Sequence, residues 1–155
     1  MAKDERQLQA ATEQSAALLA AAGFPRMPAR VLMRLMANDT GMTAAELAAE
    51  LAASAAAISG AVRYLQQVGI IRRIATGTRR DRYELPGDAW YTMVTGRSPL
   101  YGALAGLAEA AALATGDTSS PAAERLDEMA RFYRFIDARL PAVMDEWEEE
   151  RKRQR

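Results

Sequence analysis

Apolar positions change their spacing several times along this chain, and each change marks an element. Over residues 5–22, Leu8, Ala11, Ser15, Leu18 and Leu19 fall near one side of a helix that Gly23-Phe24-Pro25 stops. A second helix, about 27–37, turns Val31, Leu32, Leu35 and Met36 toward a core, and Asn38-Asp39-Thr40-Gly41 is a turn cluster. Thr43 and Glu46 have the spacing of a capping box, in which each side chain satisfies a free amide at a helix start. Leu47 and Leu51 then repeat one turn apart. Ser54 caps a further helix whose buried side is Ile58, Val62 and Leu65, and Gly69 ends it. Two short β-favouring runs follow, at 70–75 and 82–85, joined by Thr76-Gly77-Thr78-Arg79-Arg80-Asp81 and closed by Pro86-Gly87.

The remainder reads as helix. Asp88 caps a short segment carrying Ala89, Trp90, Tyr91 and Val94, which Gly96 closes. Ser98-Pro99 opens another helix, with proline in the first turn where its missing donor costs nothing. That helix runs to about 114 with Leu100, Leu104, Leu107 and Ala111 on one side. After the loop 116–120, Pro121 opens the last helix. Its Leu126, Met129, Tyr133, Ile136, Leu140, Val143 and Trp147 alternate spacings of three and four, the seam of a helix that packs on another helix. Pro141 is expected to kink that helix or split it in two. Glu148–Lys152 and Glu149–Arg153 at i,i+4 suit an exposed end.

The order helix, helix, hairpin is that of a winged helix–turn–helix. The fold class expected is mainly α with a small β-hairpin wing, and its obvious partner is double-stranded DNA. Residues 24–95 would form the DNA-binding domain, 1–22 an N-terminal dimerisation helix and 98–155 a C-terminal helical dimerisation region. A domain this small does not need long helices at both ends for its own core, so a homodimer clasped by them is the economical explanation.

Charge at first argues against a nucleic-acid binder, because the 155 residues carry 20 basic and 20 acidic side chains. Its distribution answers the objection. From Ser54 to Tyr83 the charged residues are Arg63, Arg72, Arg73, Arg79, Arg80 and Arg82 against Asp81 alone, while acids run densely at 145–150. A local basic patch is enough to bind phosphate. With no cysteine and no histidine, the chain has no disulfide, thiol redox site, imidazole or thiolate metal site, or Ser-His or Cys-His catalytic pair. Glu84 and Asp88 lie close in sequence but have no glycine-rich phosphate loop or nucleophile–base pair beside them, so no enzyme is expected. No cofactor is expected either. The N-terminus lacks the apolar core of a signal peptide and no run reaches bilayer length, so the expectation is a cytoplasmic protein without membrane contact.

Candidate DNA contacts follow from position. Arg63 lies on the face of its helix that the core does not claim, where a guanidinium pairs bidentately with guanine or reaches phosphate; a solvated arginine is the plain alternative. Ala55 is the first residue of that helix. Ser54 and Ser59 are placed to donate to phosphates, Ser54 equally as a cap. Gly60 either admits close approach to the groove or close helix–helix packing. Arg79 and Arg80, at a tip containing Gly77, suit phosphate or the minor groove, with Asp81 bracing a wing arginine. Arg72 and Arg73 alternate faces, so at most one looks toward DNA. Arg26 and Arg30 either touch DNA backbone or pair with acids. Trp90, Tyr91, Phe132 and Tyr133 are candidates for an effector pocket, or plain core and interface.

The stretch 24–91 resembles the MarR superfamily of winged-helix regulators, and most of all its GbsR-like branch of actinobacterial type. Phe24-Pro25-Arg26-Met27-Pro28-Ala29-Arg30, the run 54–64 (SAAAISGAVRY), Gly77-Thr78-Arg79-Arg80-Asp81-Arg82-Tyr83 and Trp90-Tyr91 carry the likeness. The resemblance implies a dimeric repressor on a pseudo-palindromic operator, with 55–63 in the major groove and 77–80 at the wing tip. Oxidant-sensing members use cysteine, which is absent here, so the resemblance implies a small-molecule effector if there is one. A winged helix that docks on protein without sequence-specific DNA binding is the alternative.

Overall fold

The computed structural model describes residues 4–75, 77, 80–87, 89, 91 and 98–154. The elements run α1 (Glu5–Ala21), α2 (Arg26–Met36), β1 (Met42–Thr43), α3 (Ala44–Glu50), α4 (Ala55–Gln67), β2 (Arg72–Ile74), β3 (Arg82–Glu84), α5 (Ser98–Ala114) and α6 (Pro121–Arg153). They divide into two units, Met1–Trp90 and Tyr91–Arg155. The short helix expected after Asp88 lies largely outside the described residues.

In the first unit, local side chains set the starts of α3 and α4. Thr43 Oγ1 accepts the Glu46 amide at 3.2 Å while Glu46 Oε2 accepts the Thr43 amide at 2.7 Å, closing the capping box of α3. Ser54 Oγ accepts the Ala57 amide at 3.2 Å and starts α4. Val31, Leu32 and Leu35 of α2, Leu47 and Leu51, Ile58, Val62 and Leu65 of α4, and Ile70 and Ile71 are buried together as the core. Met36, expected there, sits in the last turn of α2 and is 36% exposed. Only Ala16 of α1 is buried, and Leu18 is 73% exposed. Ion pairs hold α1 down instead, Glu13 to Arg30 at 2.8 Å and Glu5 to Arg34 at 3.6 Å, with Arg34 also bonded to Glu50.

The sheet has one strand more than the expected hairpin. Its order is β1-β3-β2, antiparallel, with Met42 opposite Tyr83, Thr43 opposite Arg82 and Arg73 opposite Tyr83. Gly41 makes this possible. Its φ is +74°, and a Cβ there would lie 2.7 Å from the Tyr83 carbonyl oxygen, so only glycine lets β1 enter beside β3.

In the second unit α5 packs on α6 through small side chains. Ala105 and Ala108 of α5 and Ala123 and Ala130 of α6 are buried, and Tyr101 stacks on Tyr133 with centroids 5.7 Å apart. Of the three leucines on the expected apolar side, Leu104 is half-buried, whereas Leu100 and Leu107 are 52% and 70% exposed. Small residues win the interface because they let the helix axes approach. The helix α6 is 33 residues to the 17 of α5, and it runs unbroken through Pro141, so the split does not occur. Proline there removes the amide that would donate to the Asp137 carbonyl, and its ring crowds that same carbonyl. Met129, Val143 and Trp147 of the heptad seam remain 38%, 54% and 40% exposed.

Candidate nucleic-acid interface

The amphipathic period of α4 divides it cleanly. Ile58, Ala61, Val62 and Leu65 are buried, while Ser54, Ala55, Ser59, Gly60 and Arg63 are exposed on the opposite side. Ala55, Ser59 and Arg63 follow one another at one-turn spacing. A Cβ built on Gly60 meets nothing within 4 Å, so packing within the chain does not require glycine there. No acid among the described residues pairs with Arg63. The surface is a shelf of small side chains with one cation at its edge.

The wing arginines are in a different state. Arg72 bonds Glu84 at 2.5 Å and Arg73 pairs with Asp81 at 3.2 Å. Arg82 pairs with Glu46 at 3.3 Å and donates to the Gly41 carbonyl at 2.7 Å. A charge count over 54–83 overstates the positive patch, because Glu46 and Glu84 lie just outside that window and neutralise two of its members. Arg80 is exposed at the tip, and Arg79 lies outside the described residues. Gly77 is also exposed, at φ +71° with open space where a Cβ would be, so it is needed for conformation rather than for room.

Arg30 makes the acid pair of its two alternatives. Its Nε and Nη2 donate to Glu13 at 2.9 and 2.8 Å, with only 24% of its side chain exposed. The Arg30 hydrogen bond holds the Glu13 carboxyl below its usual range, against a smaller opposing effect of burial. The guanidinium therefore braces α1 on α2 and is a poor candidate for phosphate.

The aromatic residues do not converge. Tyr91 packs against Trp147 at 5.8 Å with Arg151 over its ring, whereas Tyr133 packs on Tyr101 and Phe132. Trp147 and Tyr133 are 14 positions apart on α6, which is about 21 Å at the helical rise. Phe132 is 58% exposed, and Trp90 lies outside the described residues. Among the described residues, Tyr91 and Tyr133 therefore belong to separate ring groups along α6. Among the described residues, no group of three or more carboxylates is placed to hold a metal ion, and no single helix is long and apolar enough to cross a membrane.

Sequence reasoning missed the contact between Glu46 and Arg82. Glu46 was legible as a cap, but nothing local signals a partner on a strand so far along the chain.

Comparison with known proteins bears on the same two regions. A family model described as MarR family matches residues 22–81, and one described as MmpR5-like MarR family transcriptional regulator matches 88–150. A solved structure described as a transcriptional regulator is 27% identical over 92% of this chain and 99% of its own, with a TM-score of 0.81. The MepR–DNA complex of S. aureus is 22% identical over 57% of this chain and 66% of its own, with a TM-score of 0.42. No protein of curated function matches significantly. Two models of one family laid end to end, and a fold shared along nearly the whole of a solved regulator, make this chain a winged-helix transcriptional regulator of the MarR family.

Proposed function

We propose that this regulator is a homodimer that binds a two-fold symmetric operator in duplex DNA and represses transcription there. The outer face of α4 carries the reading. It is exposed and lined by Ala55, Ser59 and Gly60, so nothing bulky holds the backbone away from base edges, and its cation, Arg63, has no acid partner among the described residues. Arg63 reaches guanine or phosphate, and the Ser54 and Ser59 hydroxyls donate to backbone oxygens. Arg79 and Arg80 carry the wing to phosphate or minor groove. Arg30, engaged with Glu13, has no part in binding DNA.

Two recognition helices entering successive major grooves require half-sites about 34–36 Å apart. Exposed apolar side chains support self-association: Leu107 and Leu113 of α5 are 70% and 74% exposed, and Phe132 and Phe135 of α6 are 58% and 50% exposed. On this reading α1, α5 and α6 clasp the second copy. A small-molecule effector would act by binding one spacing of the two α4 helices better than another. The runs 24–30, 54–64 and 77–83 support a GbsR-like branch, while the model over the C-terminal helices carries the MmpR5-like description; they agree on the family.

The test is fluorescence anisotropy on the duplex upstream of the protein's own gene and on a scrambled duplex, across a salt series. The proposal expects tight binding to the first and much weaker binding to the second. Equal, salt-steep binding to both, or none to either, overturns it.

A further inference from the structure

Glu46 serves two elements at once. Its Oε2 takes the Thr43 amide at 2.7 Å, closing the start of α3, and lies 3.3 Å from Nη2 of Arg82 on β3. Its Oε1 takes a second, longer bond from Arg82 Nη1 at 3.4 Å. The Arg82 Nη2 also donates to the Gly41 carbonyl at 2.7 Å, at the entrance to β1. One carboxylate and one guanidinium thus join the first helix of the helix–turn–helix to the wing.

The strand so held is the central one. In the order β1-β3-β2, β3 carries one side of the wing hairpin, and its pairing to β1 extends over only two residues. A ladder that short is a weak anchor by itself. The Arg82 side chain is 29% exposed, so its charge is turned inward to this junction more than outward. The other strand arginines, Arg72 and Arg73, pair within the hairpin and cannot fix it to the helices.

Resting on the DNA-binding reading above, we propose that Glu46 is a positioning residue for DNA recognition: through Arg82 it fixes the wing relative to α4, so that wing tip and recognition helix engage one duplex together. An acidic residue near a DNA-binding surface would by charge alone weaken binding, and its removal would tighten it. Positioning predicts the opposite sign.

The test compares Glu46→Ala with Glu50→Ala in the full chain. Both remove one negative charge from α3, but Glu50 pairs with Arg34, on α2 rather than on the wing. Anisotropy would be measured on the upstream and scrambled duplexes over a salt series, with thermal melts confirming a folded protein. Glu46→Ala is expected to bind both duplexes about tenfold more weakly, with a log–log salt slope shallower by about 1 for each phosphate that the wing no longer reaches. The ratio between the duplexes should hold, because α4 still reads the sequence; Glu50→Ala should stay within about twofold of wild type. Arg82→Lys keeps the net charge but cannot span both acceptors, and should show the same weaker binding and shallower slope even if Glu46→Ala folds poorly. Equal or tighter binding by Glu46→Ala together with unchanged binding by Arg82→Lys overturns the inference while leaving the DNA-binding reading intact. A wild type that binds neither duplex overturns both.

Discussion

Replacing Ala52 with glycine should make this protein more stable. Three helices of the first unit end in the same way. After α1, Phe24 N–H reaches the Leu19 carbonyl at 3.0 Å and Gly23 N–H reaches Ala20 at 3.0 Å. After α4, Ile70 N–H reaches Leu65 at 2.9 Å and Gly69 N–H reaches Gln66 at 3.0 Å. After α3, Ala53 N–H reaches Ala48 at 3.0 Å and Ala52 N–H reaches Ala49 at 3.3 Å. Each is a Schellman ending, which puts one residue in the left-handed region. At the first two that residue is glycine, at φ +96° and +73°; at the third it is Ala52, at φ +48°. A left-handed alanine costs about 1–2 kcal/mol, and glycine returns roughly 0.4–1 kcal/mol of that as extra freedom in the unfolded chain. The net gain is about 0.5–1 kcal/mol, or roughly 1–4 °C in melting temperature for a chain of this size. Ala52 is exposed, so the substitution removes no packing. Differential scanning calorimetry of Ala52→Gly and of the mirror substitution Gly69→Ala reads both signs, with Gly69→Ala expected to lose about 1 kcal/mol. A lower melting temperature for Ala52→Gly would refute the conformational argument.

Further expectations concern α1, the sheet and the second unit. Glu13→Gln should destabilise the protein by about 0.5–1 kcal/mol near neutral pH, a modest figure because the pair is partly exposed. The folded Glu13 carboxyl titrates below its ordinary value of 4.5, so its contribution is present above that value and disappears as pH falls through the lower folded one. Wild type and Glu13→Gln should therefore converge in acid, as read by denaturant midpoints across pH. Gly41→Ala combines a left-handed φ with a Cβ 2.7 Å from a backbone oxygen, and should cost about 2–3 kcal/mol in an equilibrium melt. Leu107→Glu should weaken the proposed self-association in sedimentation without lowering helix content, since that side chain is 70% exposed in the single chain; an unchanged association constant would count against α5 as part of the proposed interface.

Much of the first unit was legible because its signals are local. The Thr43–Glu46 box, the Ser54 cap and the one-turn repeat of Ile58, Val62 and Leu65 each decide an element from a few neighbouring residues, and the structure has them in those roles. Two-residue β1 was not legible, because a period of two needs more than two positions and its pairing depends on Gly41 meeting Tyr83 across the fold. In α5 the leucine stripe looked like the buried side, but the close approach of two helices selected Ala105 and Ala108 instead. Charge misleads for the same reason. Arg72, Arg73 and Arg82 look like free cations in a linear count, and three-dimensional neighbours give each an acid.

If the outer face of α4 reads DNA as proposed, Arg63→Ala must lose affinity for the upstream duplex. Affinities of wild type and variant would be measured at one salt concentration on the upstream duplex and on its scrambled control. Affinity should fall by about 1–3 kcal/mol on the upstream duplex and by less on the scrambled duplex, narrowing the ratio between them. An unchanged affinity for the upstream duplex would contradict the proposed reading.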